Sequence, residues 1–244
     1  MVDSASIVVR GLPPVWGTPS PSPFVIKLLT WLRMAKIQYE LRPLKSPPRS
    51  RSKKIPYIEL SSGEIVDDSS RIIARISSER GVDLDAGLDA HARAVARLLQ
   101  ATFEGHLYFA GLYDRFATQE GWERTKKDYF RGLPAPLRPA IAWSVRRNAT
   151  RNLHGQGTGR LPRAEVAELA REDLRAIAGM LGDNPYFLGN AARTIDATAL
   201  GFLWAISRNP FESACRTALE AHPELVSYIA RMRAAYWPDF DARD

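Results

Sequence analysis

Every β-type run in this 244-residue chain lies in its first third, and beyond about residue 67 the apolar residues recur only at helical spacing. That asymmetry points to an α+β chain, a small sheet-bearing unit followed by helices, rather than to strands and helices alternating throughout. Ile7-Val8-Val9 is the first β-type run. A loop dense in Gly and Pro follows (Gly11, Pro13, Pro14, Gly17, Pro19, Pro21), as expected where the chain must turn. Ser22-Pro23 then reads as a helix start, with serine at the cap and proline at the first helical position. Phe24, Leu28 and Leu32, with Val25, Leu29 and Trp31 beside them, continue an apolar helical face to about Ala35. Gln38 to Leu41 is a second short strand, and Pro43 to Lys54 is irregular or weakly helical. Tyr57 to Leu60, the turn Ser61-Ser62-Gly63, and Glu64-Ile65-Val66 form a hairpin. Asp67-Asp68-Ser69-Ser70 caps a helix whose inner side is Ile72, Ile73 and Ile76.

The order is βαβ followed by ββα. A βαβ unit favours two parallel strands joined by a right-handed crossover, and the hairpin adds antiparallel strands to the same sheet. This is the element order of a thioredoxin-like domain, expected over residues 1–80. Residues 81–90, Gly-Val-Asp-Leu-Asp-Ala-Gly-Leu-Asp-Ala, read as a linker. Residues 91–244 are expected to form an all-α bundle, with helices over His91 to about Thr118, Gly121–Phe130, Ile141–Asn152, Arg163–Leu181, Thr194–Ser207, Phe211–Ala221 and Pro223–Tyr236. Three prolines break Leu133 to Pro139. A chain of this length suits one or two compact domains with a substantial core.

Several classes of function are set aside. No apolar run approaches the roughly 18–20 residues of a membrane span. The start of the chain, with an acid at Asp3 and no long apolar core, does not read as a signal peptide, so a cytoplasmic location is expected. The single cysteine, Cys215, has no disulfide partner within the chain and is expected to be a small buried hydrophobe. His91, His106, His154 and His222 show no metal spacing, so no metal is expected. Gly155 to Gly159 is no phosphate loop, because no strand precedes it and no Gly-Lys-Ser/Thr ends it. The net charge of +7 favours anionic partners. Locally, Lys45, Arg49, Arg51, Lys53 and Lys54 share an acid-free run, read either as a solvated loop or as a small-anion site. It lacks the interleaved aromatics of a nucleic-acid surface, and no nucleic-acid partner is expected.

Three places have chemistry within reach. The first is the helix start at Ser22. A helix N-terminus offers unpaired N–H groups and about half a positive charge, which suits an anion, a thiolate included. Lowering a thiol pKa by ~2 units takes only about 2.7 kcal/mol. A serine hydroxyl adds a donor; Ser22 is the first candidate and Ser20 the second. The second is Lys54-Ile55-Pro56-Tyr57 at the entry to the hairpin. A cis Pro56 there turns neighbouring backbone groups outward, toward a peptide-like ligand. The third is Asp68-Ser69, where two backbone donors and a hydroxyl suit a carboxylate and Asp68 suits an ammonium, the two charges of an α-amino acid end group.

Taken together and in order, strand, Ser-Pro-Phe helix start, Ile-Pro before a hairpin and Asp-Ser at the next helix start resemble the glutathione transferase superfamily. Finer matches are Ser-Pro-Phe-Val-Ile-Lys-Leu, Lys-Ile-Pro-Tyr-Ile-Glu-Leu, Asp-Ser-Ser-Arg-Ile-Ile, Gly-Gln-Gly-Thr-Gly-Arg160 and the Tyr-Trp-Pro-Asp239 tail. They are similar to the branch containing the metaxins and the failed-axon-connections proteins, several of which are adaptors. Phe187-Leu-Gly189 and Thr194-Ile-Asp196 resemble the family's capped core helix, with Asp two residues after Thr where the family more often has three. The resemblance implies a glutathione transferase fold with glutathione as co-substrate. Ser22 or Ser20 would be the thiol partner, Ile55 before cis-Pro56 the backbone clamp, Asp68 and Ser69 the γ-glutamyl clamp, and Lys54 the partner of the glycyl carboxylate. The implied activity is conjugation of a hydrophobic electrophile, a detoxifying reaction, in a homodimer. Trp16 and Tyr108 are candidates for the second-substrate pocket, with Phe103, Phe109 and Tyr113 as further aromatics near it. The implied alternative is a non-catalytic adaptor of the same fold.

Overall fold

The computed structural model describes residues 6–44, 46–60 and 62–240. Asp3, Lys45 of the basic run and Ser61 of the hairpin turn lie outside the described residues. The four-stranded sheet has the order β2-β1-β3-β4, from β1 (Ile7–Gly11), β2 (Tyr39–Pro43), β3 (Tyr57–Glu59) and β4 (Ile65–Asp67). β1 and β2 are parallel, paired from Ile7↔Tyr39 to Gly11↔Pro43, while β3 is antiparallel to both β1 and β4. The second strand therefore starts and ends later than its β-type residues indicate, because the full length of β1 draws Arg42 and Pro43 into register.

Helix α1 (Pro23–Met34) is buried continuously from Val25 to Leu32, including Lys27 and Thr30. Its face is not the single apolar stripe read from the sequence, because α8 (Thr194–Ser207) lies along it as well as the sheet domain. The close approach depends on Gly201: a Cβ there would sit 2.6 Å from the Pro23 carbonyl oxygen and 2.9 Å from the Lys27 nitrogen. A glycine inside a helix ordinarily gains about 1 kcal/mol on becoming alanine. Here Gly201→Ala is expected to lose about 2–3 kcal/mol by overpacking. Urea unfolding reads the sign directly, and an unchanged or raised midpoint would show that α1 and α8 separate without cost.

The remaining elements among the described residues are helical. α2 (Ser69–Arg80) closes the sheet-bearing part. The long pattern expected from His91 to about Thr118 is α3 (Ala90–Thr102) and α4 (Tyr108–Phe116), joined by a π-helical turn at Phe103–Leu107. α5 (Gln119–Tyr129) and α6 (Arg138–Gln156) follow, α6 extending beyond the expected Ile141–Asn152 at both ends because Pro139 sits in its first turn, where proline is tolerated. α7 (Arg163–Leu181) and α10 (Pro223–Tyr236) match their expected spans. α9 does not: it runs only over Ala214–Glu220, starting three residues after Phe211. Ser213 is its cap, accepting the Arg216 N–H, and Phe211 is left free to pack edge-on against Trp16.

Two features tie these parts together. The cap residue of α8 is Arg193 rather than Thr194, which restores the three-residue spacing to Asp196. Asp196 is fully buried and accepts the Arg193 N–H at 2.8 Å, the Phe187 N–H at 3.1 Å and the Tyr228 hydroxyl at 3.0 Å. From residues 81–89, Asp85 accepts the Thr194 N–H at 2.9 Å, and Arg193 donates to the Leu84 and Ala86 carbonyls. In the Tyr-Trp-Pro-Asp239 tail, Trp237 donates to Thr30 at 3.1 Å, while Arg33 stacks 4.0 Å from the Trp237 ring and pairs with Asp239.

Candidate functional site

A cleft of about 2220 Å³ runs between the strand ends of the sheet and helices α4 to α6. It is larger than the roughly 300–1,000 Å³ of an ordinary small-molecule site, with room for a peptide-sized ligand and a second molecule. Ser22, Lys54, Ile55, Asp68 and Ser69 all line it, and so do Trp16, Tyr108 and Phe109. The topology brings them together because the ends of β1 and β4 lie beside the start of the antiparallel β3: Ser22 follows β1, Lys54 and Ile55 precede β3, and Asp68 and Ser69 follow β4.

Ser22 caps α1, but its side chain makes no capping bond, so the hydroxyl remains available to the cleft. Pro23 has no N–H, and the Val25 and Ile26 N–H groups both turn back to the Ser22 carbonyl. The Phe24 N–H is thus the first-turn donor that α1 itself does not use. Ser20 is fully buried, outside the cleft lining, with its hydroxyl accepting the Ser22 N–H at 3.4 Å. The Ile55–Pro56 bond is cis, as expected, and Pro56 is buried behind Ile55. Asp68 has φ 72°, an unusual conformation outside glycine, held by its own carboxylate, which accepts the Ser70 and Arg71 N–H groups. Its neighbour Asp67 is buried and accepts the Ser52 N–H at 2.8 Å, which anchors the basic loop and holds the carboxyl below its ordinary range. Lys54 is exposed at the rim of that loop.

The aromatic candidates divide. Trp16 and Gly17 both have positive φ, 52° and 65°, in a tight turn closed by Val15 and Thr18, the pattern of a primed hairpin turn. The turn presents the Trp16 indole to α5: its N–H donates to Asp128 at 2.7 Å and its ring lies 4.9 Å from Tyr129. Tyr108 packs edge-on against Phe24 at 5.1 Å. Phe103 is completely buried in the core, and neither it nor Tyr113 lines the cleft. Cys215 is also buried, and that burial raises its pKa well above the usual thiol value.

Two groups at the site are not among the candidates named from the sequence. Arg115 is buried in the cleft wall and donates to the Pro21 carbonyl (2.7 Å), the Ala205 carbonyl (3.1 Å), the Tyr129 hydroxyl (3.1 Å) and the Asn209 side-chain oxygen (3.2 Å). All four are neutral oxygens, so a full positive charge sits one residue from Ser22 without a carboxylate on it. Burial pushes the Tyr129 hydroxyl up to about 12 and raises Tyr108, so both remain phenols at neutral pH. The second is Lys27, buried in α1, whose ammonium meets Ser70 at 2.7 Å and Glu104 at 2.6 Å; Gln100 donates to the same Ser70. Glu104 lines the cleft beside Ser69 and stands opposite α1 on the π turn. Among the described residues no group of His, Cys, Asp and Glu is arranged to hold a metal ion, and no helix is long and apolar enough to cross a membrane.

Comparison with known proteins agrees with this geometry. Residues 23–121 match the glutathione S-transferase N-terminal domain and residues 170–232 the glutathione S-transferase C-terminal domain. The isoprene-epoxide–glutathione S-transferase of Rhodococcus sp. (strain AD45) is 31% identical, over 94% of this chain and 99% of that protein. Failed axon connections of Drosophila melanogaster is 29% identical over 91% of this chain, which spans 56% of that protein. Metaxin-1 of Macaca fascicularis is 25% identical over 91% of this chain and 73% of that one. Among solved structures, a glutathione S-transferase of Ceriporiopsis subvermispora in complex with glutathione has a TM-score of 0.66, at 18% identity over 95% of this chain and 98% of that one. With family domains matched in both parts of the chain and a transferase relative covered along nearly its whole length, the chain belongs to the glutathione S-transferase superfamily.

Proposed function

We propose that this protein is a glutathione transferase that conjugates glutathione to a hydrophobic electrophile. The observation that carries the reading is the free Ser22 hydroxyl at the start of α1, sharing one cleft with Asp68, Ser69, Ile55 and Lys54. In this reading glutathione lies along the sheet edge. Asp68 and Ser69 hold its γ-glutamyl end, the Ile55 backbone pairs with the cysteinyl unit, and Lys54 meets the glycyl carboxylate. Ser22 and the Phe24 N–H donate to the thiolate, and Arg115 stands behind them as its charge. Ser20 acts through Ser22, whose N–H it receives, rather than on the thiol. The electrophile occupies the apolar wall of Trp16 and Tyr108. Rate acceleration is then thiol activation plus proximity. The same reading takes residues 1–80 as the glutathione-binding domain, 81–90 as linker and 91–244 as the helical domain, in a cytoplasmic homodimer.

Calorimetry with glutathione is the first test. Micromolar-to-millimolar binding that Ser69→Ala weakens about tenfold or more supports the clamp; hydrogen bonds to charged groups are worth about 1.5–3 kcal/mol. Ser22→Ala is expected to lower kcat about 10–100-fold with little change in glutathione affinity, because its bond strengthens as the thiolate forms. An unchanged conjugation rate would remove Ser22 from the chemistry. The likeness to Failed axon connections and metaxin-1 favours a second reading, a non-catalytic binding protein on the same fold. It predicts no glutathione binding up to ~10 mM, well above the usual substrate range.

A further inference from the structure

Between Asp128 and Glu165 the sequence carries seven arginines and no acidic residue. Most of the stretch is on the surface. Residues 134–140, Pro-Ala-Pro-Leu-Arg-Pro-Ala, are all exposed ahead of and into the first turn of α6. Along α6 itself, Ala140, Trp143, Arg147, Arg151 and His154 follow at spacings of three and four, the spacing of one helical face, and all five are exposed. Trp143 is 62% exposed and Leu137 53%. Trp16 is half-buried and the other four tryptophans, Trp31, Trp122, Trp204 and Trp237, are buried. The Arg147 guanidinium lies 5.2 Å from the centroid of the Trp143 ring, which puts a cation against the exposed indole. The neighbouring face of α6, with Ile141, Val145 and Asn148, lines the cleft, so this patch borders the cleft mouth.

We propose that this face of α6 and the apron before it dock on an anionic lipid bilayer, placing the cleft mouth at the membrane surface. Arginines without interspersed acids are attracted to the negative surface potential of such a membrane. An exposed indole is an amphipathic ring suited to the headgroup level. The apron residues that accompany it, Leu137 with alanines and prolines, offer aliphatic surface to the acyl boundary. They provide no aromatic platform on which successive nucleic-acid bases stack. A bilayer also concentrates apolar molecules, and a cleft opening beside it receives them without passage through water. The contact is peripheral: charge attracts the face and Trp143 anchors it.

The test is flotation of the purified protein with large unilamellar vesicles at 150 mM NaCl, phosphatidylcholine alone against phosphatidylcholine with 30% phosphatidylglycerol. The expected result is recovery with the anionic vesicles at least tenfold above that with neutral ones, falling as salt rises. Trp143 is the one strongly exposed tryptophan, so a blue shift of emission on adding anionic vesicles, absent in Trp143→Phe, reports the anchor. Arg147→Glu/Arg151→Glu is expected to abolish flotation; its melting temperature, compared with the parent protein's, shows that it is folded. The proposal is overturned if the parent protein stays with the soluble fraction, or if both variants float like the parent. It is also overturned if light scattering shows the Arg147→Glu/Arg151→Glu variant as a monomer and the parent as a dimer, which makes this face the contact between copies. Tighter binding of a single-stranded RNA oligonucleotide than of the anionic vesicles would overturn it as well. None of these readouts depends on glutathione.

Discussion

Asp196→Ala is expected to lower the unfolding free energy by about 2–5 kcal/mol, since leaving a buried donor unsatisfied costs about 1–3 kcal/mol and this substitution orphans two. Those donors are the Phe187 and Arg193 N–H groups, while the Tyr228 hydroxyl loses the carboxylate but keeps the Asp196 main-chain carbonyl at 3.2 Å. For a chain of this size the loss corresponds to a fall in melting temperature of roughly 4–20 °C. Urea unfolding checks it, and a loss under ~1 kcal/mol would mean that the two N–H groups find water or other partners. Asp196→Asn keeps one acceptor and turns an N–H₂ toward the remaining donors, so it should fall between parent and alanine. The pH dependence has a definite sign. Burial raises the Asp196 carboxyl, and the bonds from Arg193, Phe187 and Tyr228 recover only part of that shift. The folded chain therefore holds this proton more tightly than the unfolded one. The group's contribution is greatest below the ordinary carboxylate value and declines as pH rises from there through its raised folded value. Alanine removes that slope. The damage would also reach the cleft, because α8 carries Gly201 against Pro23 and Lys27 and packs Phe202 5.2 Å from Phe24.

What the sequence made legible were signals local to a few residues. Proline at the first turn of α1, Asp68 before α2 and the polar turn of the hairpin act over three or four residues, and the fold obeys them. Ser22, Ile55, Asp68 and Ser69 could be named for the same reason: each sits at an element boundary whose backbone chemistry is written beside it. Boundaries set by distant packing were not legible. Phe211 has helical neighbours in sequence, yet it turns to meet Trp16, 195 residues earlier in the chain, and α9 begins later. Phe103 and Tyr108 fall in one uninterrupted helical pattern, and no local signal says that one is core and the other lines the cleft. Lys27 left a faint mark, a charge within an apolar run, which in a buried helix requires an acidic partner within reach such as the part-buried Glu104. The spacing Thr194 to Asp196 appeared short because the cap is Arg193, a residue type that offers no side-chain acceptor. Arg115 left no mark at all. Its partners come from the loop before α1, from α5 and from the end of α8, and no local pattern records such a meeting.

In the proposed glutathione complex, Arg115→Met is expected to raise the thiol pKa by ~1–2 units, cutting the thiolate fraction about 10–100-fold at pH values below the parent's thiol pKa and less above it. The reasoning starts from the missing counter-charge. A buried guanidinium satisfied only by neutral oxygens is costly to hold, and an anion bound in the cleft relieves that cost. Reciprocally, the guanidinium stabilises the anion, and in this low-dielectric wall its charge is screened less than it would be in water. Its bond to the Pro21 carbonyl places that charge beside Ser22, which lines the same cleft. Methionine keeps much of the length and apolar volume while removing the charge, so the pH–rate profile separates two roles. If Arg115 lowers the thiol pKa, the ionisation in the profile moves up and activity approaches the parent's at high pH. If it only braces the loop, activity falls by the same factor at every pH and the ionisation stays in place, which would sink the electrostatic role. Arg115→Lys supplies the charge without the planar fork that reaches four acceptors. It should bring the ionisation part of the way back while remaining less stable than the parent, and a lysine variant that behaves like methionine would show that geometry, not charge, is what the site takes from this residue.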